Sequence, residues 1–251
     1  MPLNVETIRG ARPQNQVHYF RSIGSTMQEA GRLASAGAPH GTIVIADEQT
    51  SGIGRLGRSW VSPPEAGIYC SILLRLSLAA NSLPVAALML GLAVKDAVEK
   101  TAGLACDLRW PNDILIKERK VAGILAQVAD ACIVAGIGIN VHQREFPDDL
   151  RTPATSLWIE SNGAMQSREK LIVALLAALD GYSSMLEAEG PSPVLRAFTA
   201  ASTYATNRRV IVEDTGFRGT TAGLDPDGFL LIRSDSGSLR RVASGGVRAD
   251  R

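Results

Sequence analysis

The stretch Gly52-Ile53-Gly54-Arg55-Leu56-Gly57 satisfies the glycine spacing GxGxxG of dinucleotide-binding folds, and the seven residues after it decide the fold. In a doubly wound α/β sheet this loop must open a helix whose N-terminus faces a pyrophosphate. Here Arg58-Ser59-Trp60-Val61-Ser62-Pro63-Pro64 comes next, and the two prolines stop any helix. The Rossmann reading is therefore rejected. What remains is a glycine loop carrying two arginines and ending at a tryptophan. Glycines let backbone approach a ligand closely, and guanidinium groups bind carboxylate or phosphate through paired hydrogen bonds.

Outward from the loop, Thr42 to Ala46 is a β-branched run that reads as a strand, and Ile68 to Leu76 reads as a second. Ser25-Thr26 opens a helix to about Ala36 after a short polar lead, with either hydroxyl suited to cap it. Leu83 to Ala102 has helical length with a proline in its first turn and Gly103 after its end, and Arg168 to Glu189 is a long amphipathic helix. Asp107 to Trp110, Asp113 to Lys117, Val121 to Val128 and Cys132 to Val141 read as short strands. Strands and helices mix without βαβ alternation, which predicts an α+β fold with a mixed sheet. From Thr203 the chain turns to short strands (Arg209 to Glu213, Phe217 to Leu224, Gly228 to Arg233, Leu239 to Val242) separated by turns such as Asp225-Pro226-Asp227-Gly228. The expected division is a main domain over 1–202 and a small β-barrel over 203–251, too small to stand without packing on its neighbour.

The 251 residues are 45% apolar and 20% charged, an ordinary globular composition, and a net charge of +1 offers no global field for nucleic acid or an anionic membrane. Cys70, Cys106 and Cys132 are odd in number and set among apolar neighbours, so they read as buried reduced thiols of a cytoplasmic chain. The longest apolar run, Leu83 to Val94, is too short to span a bilayer, and the N-terminus has no apolar signal region. His18, His40 and His142 form no cluster, no CxxC pair is present, and no residue is assigned to a metal. Neither a GxSxG elbow nor a GxxxxGK[ST] loop occurs, which leaves hydrolase and P-loop readings without support.

Four further segments stand in order with the glycine loop: Ser25-Thr26; Arg109-Trp110-Pro111-Asn112-Asp113; Arg119-Lys120-Val121-Ala122-Gly123-Ile124-Leu125; and Gly136-Ile137-Gly138-Ile139-Asn140. Together with Gln49 to Trp60 they make the chain resemble a biotin protein ligase. The resemblance implies a mixed-sheet catalytic domain with a small C-terminal SH3-like barrel. It also implies an ATP-dependent reaction that makes biotinoyl-AMP and passes biotin to a lysine of a biotin carboxyl carrier protein, with Mg2+ on the phosphates. By the same resemblance Ser25, Thr26, Met27, Gln49, Gly52, Ile53, Gly54, Arg55, Trp60, Lys120, Gly123, Gly136 and Gly138 line the biotin site. Arg55, Arg58, Trp60, Trp110, Asn112, Lys120 and Asn140 are assigned to ATP, and Lys120, Arg55 and Asp113 to catalysis.

The chemistry fits these residue types. A carboxylate meeting an α-phosphate needs cations to offset the repulsion, which Lys120 and Arg55 supply. In the transfer step Asp113 suits the orientation of an incoming ammonium better than general-base work, because an ordinary aspartate is about six pKa units too acidic for that task. Trp60 and Trp110 fit core packing and ligand contact equally well. Three positions depart from the family pattern: Ile53 and Gly246 stand where an arginine and an acidic residue are common, and Arg109 replaces a lysine. Only 24 residues precede Ser25, too few for a winged helix-turn-helix, so DNA is not expected as a partner. The rival readings are a lipoate or octanoate ligase and a non-catalytic biotin-binding regulator. An open sheet edge would suit either a homodimer or the carrier.

Overall fold

The computed structural model describes residues 1–76, 83–130 and 132–250. A seven-stranded mixed sheet has the order β1-β2-β3-β7-β6-β5-β4, from β1 (Val17–Phe20), β2 (Ile43–Ala46), β3 (Gly67–Leu74), β4 (Asp107–Arg109), β5 (Asp113–Ile116), β6 (Arg119–Ala129) and β7 (Cys132–Asn140). Only β1 and β2 run parallel among the described strands, so this is an α+β sheet, as the absence of βαβ alternation predicts. A second sheet, antiparallel and five-stranded, is built from β8 (Thr206–Val212), β9 (Arg218–Leu224), β10 (Leu230–Arg233), β11 (Leu239–Val242) and β12 (Val247–Ala249).

Period-two alternation sends successive side chains of the large sheet to opposite faces. Ile43 and Ile45 of β2, with Ile68, Cys70, Ile72 and Leu74 of β3, join the main core, which helices α3 (Leu83–Ala102), α5 (Arg168–Glu189) and α6 (Pro191–Ala200) cover. Val44, Leu73, Cys132 and Val134 point the other way, into a smaller cluster closed by Met27, Ala30, Leu33 and Ala34 of α2 (Thr26–Ser35). Helix α5 is long and apolar enough by composition to cross a membrane, yet Leu171, Ile172, Leu175, Leu176, Leu179 and Leu186 are spent in the protein core. All three cysteines are free; Cys70 and Cys132 are buried as expected, whereas Cys106 is half-buried.

Several elements escape the sequence reading. Helix α1 (Val5–Ala11) lies in the supposedly polar lead and buries only Ile8, so its apolar signal is a single residue. Its companion β1 is four residues long and gains its place by pairing with β2. Asp47, buried at the end of β2, fixes this region: its carboxylate receives Arg168 Nη1 at 2.8 Å, the Leu3 amide at 3.3 Å and the Tyr19 hydroxyl at 2.5 Å. Short helix α4 (Leu157–Glu160), β12 and α6 also escape the sequence reading, although α6 buries Val194 and Phe198 on one helical face.

The small sheet shares its interior with the large one. Val210, Val212, Leu230, Ile232, Val242 and Val247 belong to the same apolar cluster as α3. Trp110 reinforces that contact: it is 3% exposed and donates from Nε1 to the Gly228 carbonyl at 3.0 Å. Replacing Trp110 with Phe should orphan the buried Gly228 carbonyl and cost about 1–3 kcal/mol of unfolding free energy. Urea denaturation of the two proteins measures the difference; equal midpoints and slopes would show that the hydrogen bond contributes nothing.

Candidate active site

Glycines clear a strip of the large sheet on the α2 side. Gly123 of β6 and Gly138 of β7 are direct cross-strand partners, and Gly136 lies two residues along the same strand face. A Cβ at Gly138 would come within 2.3 Å of the Trp60 ring, and one at Gly136 within 2.6 Å of Met27 Sδ. A Cβ at Gly123 would meet Lys120 Cε at 2.9 Å. The three glycines therefore let Trp60, Met27 and Lys120 lie flat on the strand backbones, where ordinary side chains would stand up between them. Around this strip lies a small pocket of about 50 Å³, lined among others by Thr26, Met27, Gln49, Ile53, Trp60 and Cys70.

At one end of the pocket, the start of α2 meets the loop after β2. Neither hydroxyl of the Ser25-Thr26 pair caps α2, contrary to the sequence expectation. The first helical N–H, on Thr26, is instead received by Gln49 Oε1 at 2.9 Å, and the Thr26 hydroxyl bonds the same oxygen at 3.0 Å. Gln49 Nε2 donates one of its two N–H groups to Ser62 Oγ at 2.9 Å. Ser25 Oγ is left buried without a partner. Ser71, a lone hydroxyl in the apolar strand β3, joins the group through Thr26 Oγ1 at 2.9 Å.

The glycine loop folds back on itself. Trp60 N donates to Gly52 O at 2.9 Å, and Gly54 N to Arg58 O at 2.6 Å. A Cβ on Gly52 would lie 2.3 Å from the Trp60 carbonyl, so this close return requires glycine. Arg55 leaves the loop and donates from Nη1 to Asn112 Oδ1 at 3.0 Å and to the Gly245 carbonyl of the small sheet at 3.1 Å. Burial lowers its pKa, a pull offset in part by Asp113, Asp214 and Glu213. Trp60 Nε1 is buried with no acceptor.

Lys120 owes its direction to a hairpin and a bulge. Lys117 and Glu118 have φ of 49° and 62° between paired Ile116 and Arg119, a two-residue turn of the type that matches strand twist. The pairing then shifts: Leu115 faces Lys120 and Ile114 faces Ala122, leaving Val121 as one extra residue in β6. That bulge reverses the parity of the strand and lays the Lys120 side chain over Gly123. Lys120 Nζ sits 2.6 Å from Asp113 Oδ1 and 5.3 Å from the centroid of the Trp60 ring. Arg109 Nη2 holds Asp113 Oδ2 at 2.5 Å and Thr152 Oγ1 at 2.9 Å. Burial alone would raise the Asp113 pKa; Lys120 and Arg109 outweigh it and hold the carboxyl below its ordinary value.

Beyond this ion triad opens a larger cleft of about 290 Å³. Five cationic side chains border it, Arg55, Arg58, Arg109, Lys120 and Arg151, against three carboxylates, Asp113, Glu145 and Glu213. Gly54, Arg55, Trp60, Asn112 and Lys120 border both cavities and form the junction between them. Asn140 also borders the larger cleft, but its amide is committed to the Thr155 carbonyl at 3.0 Å and to Gln143 Nε2 at 3.3 Å. Trp110 borders neither cavity; its expected ATP contact is replaced by burial in the core and the bond to Gly228. Sequence reasoning missed Gln143, Phe146, Thr152 and Glu213 on the cleft wall. Gln143 lies three residues beyond Asn140 and was within reach of the motif, whereas Glu213 had no signal.

The glycine strip makes a testable distinction. Gly138→Ala places a methyl against the rigid indole and should lift Trp60 from the sheet, raising iodide quenching of its fluorescence in a Trp158→Phe background. Gly136→Ala meets only the flexible end of Met27 and should leave quenching unchanged. Equal quenching in both variants would mean that the ring does not rest on Gly138.

Residues 19–143 match the Biotin/lipoate A/B protein ligase family, and residues 206–247 match the Biotin protein ligase C terminal domain. The bifunctional ligase/repressor BirA of Bacillus spizizenii is 34% identical over 237 residues, covering 91% of this chain and 72% of that protein. The biotin–acetyl-CoA-carboxylase ligase of Mycobacterium tuberculosis is 33% identical over 243 residues, covering 92% and 87%. A biotin protein ligase from Aquifex aeolicus, solved in complex with biotin and ATP, superposes with a TM-score of 0.82 at 30% identity, covering 94% of this chain and 99% of that one. With both halves matched in order and relatives above 30% identity along most of their length, the chain belongs to the biotin protein ligase family.

Proposed function

We infer that this chain activates biotin with ATP as biotinoyl-AMP and transfers the biotinoyl group to a lysine of a biotin carboxyl carrier protein. The observation that carries this reading is the junction of the two cavities at Gly54, Arg55, Trp60, Asn112 and Lys120. A reaction that joins two substrates needs their reacting atoms side by side, and a small pocket opening onto a larger cationic cleft supplies that geometry. The Aquifex relative, solved with both biotin and ATP, supports a site that takes the two ligands together.

In this reading the polar end of the small pocket, formed by Thr26 and Gln49 with Ser25 beside Thr26 in sequence, takes the ureido ring. Ser25 brings a buried hydroxyl that has no partner of its own and gains one from the ligand. Met27, Ile53, Gly123, Gly136 and Gly138 flank the sulfur ring and alkyl chain. Lys120 and Arg55 stand where the biotin carboxylate approaches the α-phosphate, and Arg58 and Asn112 border the nucleotide side. They stabilise the charge that develops as the carboxylate oxygen bonds phosphorus and pyrophosphate leaves. Mg2+ takes one or two carboxylates together with phosphates and water. Asp113 is already taken by two cations and Glu213 is paired with Arg151, so Glu145 is the cleft carboxylate that would hold it. We assign catalysis to residues 1–202 and a supporting wall of the cleft to the small unit over 203–251. The free thiols accord with a cytoplasmic setting. DNA and membrane have no role in this reading.

A lipoate or octanoate ligase would need an apolar tunnel where Thr26 and Gln49 stand. Pyrophosphate exchange into ATP decides between them: biotin should support exchange and lipoate should not, and exchange with lipoate alone would overturn the assignment. Lys120→Ala should slow that exchange by about 10²–10³, the usual effect of deleting one transition-state charge contact. A rate within about threefold of wild type, under ~1 kcal/mol, would remove Lys120 from the first step.

A further inference from the structure

Lys120 and the acceptor lysine present the same chemical group, a primary ammonium on a flexible stem. Both need an anionic partner in the same small region, and among the described residues Asp113 is the carboxylate that Lys120 engages. Asp113 Oδ1 holds Lys120 Nζ at 2.6 Å, and Oδ2 holds Arg109 at 2.5 Å. Both oxygens are therefore engaged by cations. Arg109 is 6% exposed and anchored a second time on Thr152, so its half of the triad is fixed. Lys120 differs: its side chain is 24% exposed, borders both cavities and lies over a strand cleared by Gly123. It is the most exposed member of the triad.

Resting on the ligase reading above, we propose that Lys120 is a placeholder for the acceptor lysine on Asp113 Oδ1, released when the bound adenylate draws it away. In the empty enzyme an incoming ammonium meets Asp113 already neutralised, with Lys120, Arg109 and Arg55 around it. Unit charges of like sign at about 4 Å repel appreciably even at an intermediate dielectric. Once biotinoyl-AMP occupies the junction, its phosphate offers Lys120 an alternative anion. Asp113 Oδ1 then takes the acceptor ammonium, while Arg109 keeps the carboxylate from turning.

The exchange orders the two half-reactions. The held ammonium releases one proton to solvent, and the amine nitrogen bonds to the carbonyl carbon of the anhydride. The carbon–oxygen bond to phosphate breaks, its electron pair leaves with AMP, and the second nitrogen proton departs as the adduct collapses. Asp113 positions the amine through this sequence and keeps neither proton. Its task is to exchange one ammonium for another at the right moment.

The test is equilibrium binding of an unmodified biotin carboxyl carrier domain to the full chain. An acyl-sulfamate analogue of biotinoyl-AMP, which cannot transfer its acyl group, should tighten binding of the lysine-bearing carrier by about tenfold, within the usual range of coupling between two ligands. The same carrier with methionine at the acceptor position should gain less than about threefold, a difference under ~1 kcal/mol. Empty Lys120→Ala enzyme, with Lys120→Gln as a second variant, should bind the lysine-bearing carrier about tenfold more tightly than empty wild type. An equal gain for the methionine carrier overturns the proposal, as does unimproved binding by the folded Lys120 variants. The wild-type arms decide alone if neither variant folds. Failure of wild type to bind the analogue at all would instead count against the ligase reading itself.

Discussion

A β-sheet packed on both faces has no room for a ligand unless side chains are removed from part of it, and this constraint shapes everything around the site. The main core needs continuous apolar strands, so Ile137 and Ile139 of β7 and Ile124 of β6 stay large on the face toward α3. Their neighbours Gly123, Gly136 and Gly138 are reduced to hydrogen on the other face. The same short stretch therefore supplies a close-packed core below and a bare floor above. A change of one residue in register would exchange the two and destroy both at once. Helix α2 covers the floor at one end with Met27 and the glycine loop covers it at the other with Trp60.

The electrostatics derive from that floor. A lysine laid over a glycine strip is partly removed from water and needs an anion; Asp113, the direct cross-strand partner of Gly123, is in place to give one. Buried ion pairs recover their desolvation cost only when every member has good partners. Arg109 completes the set by holding the second carboxylate oxygen, and the Asp113 charge in turn keeps the Arg109 pKa raised against the opposing pull of burial. The triad is thus organised before any substrate enters. Within it Arg109 and Asp113 hold each other in advance, the kind of preset charge that electrostatic catalysis uses.

Much of this was legible in the chain. The prolines at 63 and 64 exclude the dinucleotide loop, and the mixed order of strands and helices gives the α+β class; both rest on local rules that tertiary structure seldom overrides. The motifs stand out in the chain because glycines such as Gly123, Gly136 and Gly138 occupy strand positions that would otherwise carry apolar side chains. What stayed hidden depends on partners distant in sequence. Trp110 reads as ligand or core with equal right until Gly228, 118 residues away, proves to accept its N–H. Ser25 looks like a helix cap until Gln49 is found doing that work through space. The bulge at Val121 leaves no mark in composition, yet it alone puts Lys120 on the face of Gly123.

Gly246 shows the same principle from the other side. Judged by its place in the chain, the loss of an acidic residue there removes a carboxylate from the nucleotide cleft. The sheet restores one from a neighbouring strand end. Glu213, just after β8, donates its backbone N–H to the Gly246 carbonyl at 2.9 Å, which fixes the two residues side by side. A Cβ built on Gly246 would stand 3.4 Å from Glu213 Oε2, so the Glu213 carboxylate lies in contact with the position from which a side chain at 246 would start. Both residues border the larger cleft, and Arg151 steadies Glu213 through its backbone carbonyl at 3.1 Å and its carboxylate at 3.7 Å. A negative charge at a site is a property of position in space, and a sheet offers two strands from which to supply it. With Glu213 in place, an acid at 246 would bring a second carboxylate near the first, and like charges repel. Glycine at 246 is therefore consistent with a cleft that retains its carboxylate and has moved it one strand over.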